Sequence, residues 1–319
     1  MKSIYIIIVL AVSAVAGFFN LKLPENEKPQ DIQKEVVVNE TIPKPEIKVL
    51  PAQKSTKILI VGDISFDRYI RRVSNDKGGD FIFSCIDDLL KSSDFVVGNL
   101  EGPITDNASI SMGTVMGTPA NFVFTFPTTS AELLKKHNIS LVNLGNNHIG
   151  NFGMEGVAST KEYLKTAKVG YFGGLGADEP VYRKDGISFI SYNEFGGQSP
   201  KKVALKIVEE KKKGNIVIVY AHWGEEYVDS VPRLRSVATL FAENGADAVV
   251  GSHPHIVLPS EYIGKTLVYY SLGNFIFDQY WDPEVMKGVA LFLDISDGKI
   301  THKEFPIILK KDGRTCPNY

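Results

Sequence analysis

The stretch GADAVVGSHPH, Gly245 to His255, runs from an apolar segment into a polar cluster that carries two of the chain's six histidines. An apolar run this short and β-branched reads as a strand buried on both faces, as strands are in an α/β sheet. His253 and His255 then stand one residue apart beyond the strand's carboxyl end. Two imidazoles so placed can reach one point in space, and neutral imidazole is a common metal ligand. A surface turn with two incidental histidines is the alternative, and the rest of the chain has to decide.

The same texture recurs from Lys57 onward in KILIVGD, SDFVVGNLE, ISLVNLGNNH, GISFISYNEF, GNIVIVYAHWG, KTLVYYSLGNF, GVALFLDIS and KITHKEFPIIL. Each apolar run is of strand length and ends in a small or polar cluster. Between them FIFSCIDDLLKSS, SAELLKKHN, EGVASTKEYLKTA, PKKVALKIVEEKKK and VPRLRSVATLFAENG place apolar residues three and four apart, which predicts helices with one face on a sheet. Glu209 to Lys213 is expected to be a solvated helix end.

Ligands of α/β sheets bind beyond the carboxyl ends of the strands. There the sequence places Asp63; Asn99 and Glu101; Asn146, Asn147 and His148; His222, Glu225 and Glu226; and His253 and His255. Singly, each has a bland role as a cap, a turn former or a core histidine. Together they make an oxygen and nitrogen donor set without thiolate, which suits manganese, iron or zinc. Gly62, Gly98, Gly145, Gly224 and Gly251 precede these clusters and are read as sharp backbone turns beneath them.

A chain of 319 residues, 44% hydrophobic and 23% charged, has room for a large core, and its formal charge of −2 gives no basic footprint for nucleic acid. Residues 1–19 carry one lysine and then an apolar run, with Ala14 and Ala16 as a small-residue cleavage site. They are either a signal peptide or an N-terminal membrane anchor, and both imply a place outside the cytoplasm, secreted or held at the cell membrane. Residues 20–56, with five prolines and mixed charges, form an extended linker. Residues 57–319 are the folded body. Cys85 is read as a small buried hydrophobe and Cys316 as a free thiol, although sequence fixes no distance between them.

In order, GDISFDR, NLEGPIT, NLGNNHIGNFG, AHWGEEY, VVGSHPHI and YSLGNFIFDQ resemble the CapA family of poly-γ-glutamate capsule synthesis proteins, within the calcineurin-like metallophosphoesterases. The resemblance implies an α/β fold of two packed β-sheets flanked by helices. It makes Asp63, Glu101, Asn147, His222, His253 and His255 metal ligands and assigns His253 and His255 to different metal positions. It gives His148 a part in leaving-group protonation and matches Arg68 to an arginine able to hold a carboxylate or phosphate. Asn99, Asn146, Glu226 and Asn274 stand behind these ligands, and Asp278 with Asn274 is expected to orient them. Where the wider superfamily has Asp-x-His on the first strand, this chain has Asp63, Ile64 and Ser65. One well-held divalent ion is therefore expected near Glu101, Asn147, His222 and His253, with a second weak or absent.

Trp223 and Tyr227 either pack or line a pocket, Ser111–Phe124 reads as a loop over the site, and His137 and His302 fall outside the motifs. The partners implied are an anionic polymer such as poly-γ-glutamate, membrane polymerase subunits, and the membrane itself through the N-terminal segment. A metal-dependent hydrolase or transferase, a non-catalytic metal-stabilised scaffold of a polymer synthase, and a secreted phosphoesterase all accommodate these residues.

Overall fold

The structure is a computed structural model that describes residues 55–175 and 179–318. The segments read as signal peptide or anchor, and nearly all of the linker, lie outside the described residues. Among those described, no helix is long and apolar enough to cross a membrane.

The first half of the body alternates strand and helix: β1 (Thr56–Ile64), α1 (Arg68–Lys77), α2 (Asp80–Phe83), α3 (Asp87–Lys91), β2 (Phe95–Leu100), α4 (Ser130–Lys136), β3 (Ile139–Asn143), α5 (Gly153–Thr166) and β4 (Gly170–Phe172). The second half continues with β5 (Val181–Lys184), β6 (Ile187–Asn193), α6 (Pro200–Lys212), β7 (Ile216–His222), α7 (Pro232–Glu243), β8 (Ala248–Ser252), β9 (Val257–Ile263), β10 (Thr266–Leu272), β11 (Asn274–Ile276), β12 (Lys287–Ser296), β13 (Lys299–Leu309) and β14 (Thr315–Pro317).

Two sheets result. One runs β14-β13-β12-β1-β2-β3-β4, with β11 also paired to β1, and the other runs β5-β6-β7-β8-β10-β9. Within the first, β1 to β4 are parallel while β12, β13 and β14 are antiparallel additions. The chain is a mixed α/β sandwich, as the motif order implies.

Alternation along single strands explains the layering. On β1, Ile58 and Ile60 enter the core between the sheets, while Leu59 and Val61 face the helices. On β7, Ile218 and Tyr220 join the same inner core and Val217 and Val219 pack on α6 and α7. With both faces covered, a strand must be apolar throughout, which is why these runs show no polar alternation. β5, β9 and β14 escape sequence detection because they are short or sit at an edge with exposed, polar positions.

Four expectations need correction. Cys85 and Cys316 are joined in a disulfide that ties β14 to the turn between α2 and α3. FIFSCIDDLLKSS is accordingly two short helices with that turn between them, since Cys85 is needed at the bond. Glu210 is not solvated: its side chain is fully buried and takes Arg183, Lys213 and Ser188 as donors. Of the five glycines, only Gly224 adopts positive φ (94°); Gly62 and Gly251 serve close approach, as an added Cβ would lie 1.8 Å from the Gly273 carbonyl and 2.0 Å from that of Tyr270.

Candidate metal centre

Register brings the polar strand ends together. Asp63 on β1 pairs with Asn99 on β2 and Asn274 on β11, Asn99 with Asn143 on β3, and His222 on β7 with Ser252 on β8. Both sheets thus deliver their carboxyl ends to one edge of the sandwich, where Asp63, Glu101 and His222 are completely buried.

Glu101 follows β2 by one residue, and neither carboxylate oxygen has a hydrogen-bond partner among the described residues. His222 Nε2 and His255 Nε2 each lie 3.8 Å from its Oε1. Donor atoms of Glu101, His253 and His255 all fall within 4.8 Å of one another, and His253 Nδ1 is also unpartnered. Burial, and then the nearby Asp63 and Glu226 carboxylates, push the Glu101 carboxyl well above its usual range. Burial likewise lowers His253 to about 3 and takes His222 well below the ordinary imidazole value, so these rings are neutral near pH 7 with lone pairs to give.

Buried polar atoms normally find partners. An unpartnered carboxylate facing neutral imidazoles is what a divalent cation would satisfy, so the residues present fit a metal. The tightest group takes His255 together with His253 around one carboxylate, although the resemblance divides the two histidines between positions. Backbone geometry helps: His253 and His255, flanking Pro254, adopt φ of 95° and 59°, uncommon for residues with a side chain.

Surrounding side chains fix these ligands. Asp63 accepts from Asn99 Nδ2 at 2.8 Å and from the His253 backbone N–H at 3.1 Å, locking the GSHPH turn to β1. His255 Nδ1 donates to Asn274 Oδ1 at 2.9 Å, which leaves its Nε2 lone pair toward Glu101. His222 Nδ1 lies 3.0 Å from Ser252 Oγ and 3.2 Å from Asn99 Nδ2, and its Nε2 lies 2.8 Å from Asn147 Oδ1. Asn146 accepts the His148 and Ile149 N–H groups and donates to the Leu100 carbonyl and, at 3.2 Å, to Asn99 Oδ1, so it shapes the loop and stands behind Asn99. Ser65 Oγ, at the first-strand position where the resemblance expects imidazole, is buried and unpartnered.

Arg68 and His148 stand outside the tight group. Arg68, at positive φ of 51°, pairs with Asp278 and donates to Asn121 Oδ1 at 3.3 Å beneath the Phe124 ring. Asp278 thus anchors Arg68 and the Tyr69 N–H and touches no histidine ligand, contrary to the role expected for it. His148 donates from Nδ1 to Asn151 Oδ1 at 3.2 Å and packs on Phe124; burial lowers it to about 4, so it must gain a proton before it can deliver one.

A small crevice lined by Arg68, His148, Glu226, Tyr227 and His255 adjoins a cavity of about 480 Å³ bounded by α1 and the Ser111–Phe122 loop, and the two share Arg68, Phe122, Glu226 and Tyr227. Phe122 and Phe124, at the end of the loop expected over the site, line the crevice beside His148 and His255. Tyr227 lines the crevice and stacks on His255, whereas Trp223 is fully buried with its Nε1 donating to the Tyr270 carbonyl. Ser252, Asn121 and Asn151 were not legible in the sequence: their types are common in turns, and only their distances to His222, Arg68 and His148 distinguish them.

Fold and site together define an α/β sandwich protein with a buried carboxylate–histidine group at its strand ends that could hold a cation. The family model for bacterial capsule synthesis protein PGA_cap matches residues 57–279, and the chain belongs to this family, the CapA family. It is 32% identical over 245 residues to the PGA biosynthesis protein CapA of Bacillus subtilis (strain 168), covering 69% of this chain and 63% of that one. It is 30% identical over 250 residues to the capsule biosynthesis protein CapA of Bacillus anthracis, covering 70% and 60%. The chain therefore spans less than two thirds of the length of these relatives.

Proposed function

We propose that the protein acts in the biosynthesis or export of an anionic surface polymer such as poly-γ-glutamate, as a metal-dependent hydrolase or transferase. The observation that carries this reading is Glu101, its buried oxygens without a hydrogen-bond partner among the described residues and set beside His253 and His255. The names of its Bacillus relatives support the polymer assignment. Working outside the cytoplasm, at the membrane or secreted, is supported by the Cys85–Cys316 disulfide, because such bonds persist in oxidising compartments.

Glu101, His253 and His255 would hold the cation, with His222 and Asn147 beside them. A divalent ion held there would supply Lewis-acid polarisation of the attacked carbonyl or phosphoryl oxygen. Asn274 keeps His255 in the tautomer that presents Nε2, and Asn99 orients Asp63 and His222. His148 holds the proton at the leaving group once it has been taken up. The Phe124 ring over Arg68 and His148 excludes water from that side.

The test is to incubate the purified protein with poly-γ-glutamate and manganese, iron or zinc, and to follow chain length. Metal-dependent shortening or end transfer is expected, falling about 100-fold or more in His148→Ala while bound metal is retained. Unchanged polymer with metal bound would instead favour a metal-stabilised scaffold for membrane polymerase subunits. Ser65, a hydroxyl in place of an imidazole ligand, is the observation on that side.

A further inference from the structure

His253 and His255 each carry an aromatic ring against the imidazole. Tyr227 stacks on His255 with centroids 5.8 Å apart, while Phe195 lies 4.2 Å from His253 and meets His222 edge to face at 5.8 Å. Phe195 is 45% exposed, whereas His253 is 3% exposed and His222 completely buried. The phenyl ring therefore has two imidazoles on one side and solvent on the other.

The two aromatic residues differ in what they adjoin. Tyr227 lines both the cavity and the crevice, and its hydroxyl accepts from Gln279 Nε2 at 2.9 Å. Phe195 lines neither. What it presents to His253 and His222 is hydrocarbon, which offers water no hydrogen bond.

The segments that bear the candidate ligands also place this residue. Asn193, at the end of β6, pairs in register with His222, and the Glu194 N–H donates to the His222 carbonyl at 3.1 Å. Asn193 Oδ1 accepts the Phe195 N–H at 3.0 Å, and its Nδ2 donates at 3.1 Å to the carbonyl of Asn146, next to Asn147. Glu194 Oε2 accepts the N–H of Gly224, two residues beyond His222, at 2.9 Å. Gly196 lets the turn close, since an added Cβ would lie 2.8 Å from Asn193 Nδ2. Hydrogen bonds thus hold the backbone of the turn, but the ring itself can be held only by packing. A side chain so exposed changes rotamer readily.

We propose that Phe195 is a movable cover over the His253 and His222 side of the cation centre, setting how fast the cation and its bound water exchange with solvent. This rests on the reading of Glu101, His253 and His255 as cation ligands. Phe195 is a positioning residue: it touches imidazoles and offers no donor atom to a cation. The apolar shell around a metal site governs solvent access, and Phe195 is the part of that shell that meets solvent.

The full-length protein would be loaded with zinc and mixed with a large excess of a chromogenic chelator, so that the rate read is release. Phe195→Ala should release zinc about ten-fold or more faster than wild type. Its zinc-to-protein ratio at saturation and its denaturant midpoint without metal should match wild type. Phe195→Tyr restores a ring and should return release close to the wild-type rate. Phe195→Gln, of similar reach but hydrated, should release as fast as Phe195→Ala, and it carries the test if the alanine variant folds poorly. Equal release by wild type, Phe195→Ala and Phe195→Gln would overturn the cover while leaving the cation reading in place. Faster release with a lowered metal-free midpoint in both variants would also overturn it, because the fold itself would have loosened. A wild type that retains none of zinc, manganese or iron would overturn the cation reading and the cover with it.

Discussion

Among the described residues two glutamates are completely buried, and their surroundings are opposite. Glu210, on α6 against the second sheet, takes Arg183 Nε and Nη2, Lys213 Nζ, Ser188 Oγ and Asn215 Nδ2 as donors. Its carboxyl is held well below the usual carboxylate range, chiefly by Arg183. Glu101, just beyond the carboxyl end of β2, has no donor among the described residues, and burial pushes its carboxyl up. A buried charge is stable when its partners surround it. Glu210 is complete within the chain and belongs to the fold. Glu101 lacks such partners within the described fold, and on the proposed reading a cation would complete it.

The comparison breaks first on stability. Glu210→Gln should cost about 2–3 kcal/mol, because Arg183, Lys213 and Ser188 lose a charged acceptor. Glu101→Gln, measured in metal-free protein, should be neutral or stabilising. Denaturant unfolding of both variants checks this, and a large loss in Glu101→Gln would mean that its carboxylate has partners within the fold.

A second contrast lies in what stands behind each carboxylate. Asn274→Ala removes the acceptor that sets the His255 tautomer. It should weaken metal binding about 10-fold or more. Ser188→Ala, behind Glu210, should leave metal affinity unchanged. Competition with a chelator measures both.

The third contrast is in pH dependence. His148 and His253, held by burial at about 4 and about 3, stay neutral in the fold, while their unfolded counterparts take up protons below about 6.5. The unfolded chain then binds more protons, so stability falls as pH drops from about 6.5 toward 4. Glu210 acts in the same direction below about 4.5, since its depressed value favours the ionised fold. Glu101 opposes them: with its value raised, metal-free protein loses stability as pH rises above about 4.5, and a bound cation removes that loss. Thermal unfolding with and without metal should therefore diverge most above pH 6.5.

Strand runs such as KILIVGD and GNIVIVYAHWG were legible as buried strands of an α/β sheet because burial on both faces forces continuous apolar character, whereas the division into two packed sheets came only with the resemblance to the CapA family. Asp63, Glu101, His222, His253 and His255 were visible because all end strands of the same sense. The Glu210 network was not, as GluGluLysLysLys reads as a wet helix end until β5 brings Arg183 across it. Nor was the disulfide, whose cysteines are 231 residues apart and meet only through β14. Asp278 was misread for a related reason: its neighbour Asn274 does reach a histidine, but four residues along the chain the carboxylate faces Arg68 instead. Long-range partners, not local pattern, decide these positions.

On the proposed reading Glu101, His253 and His255 hold a divalent cation. Elemental analysis of the purified protein, after supply of manganese, iron and zinc and removal of excess, tests it most directly alongside Glu101→Gln and His253→Ala. A metal-to-protein ratio near one that collapses in both variants, with Glu210→Gln unaffected, is the predicted result. No bound metal in wild type, or a ratio untouched by either substitution, would contradict it.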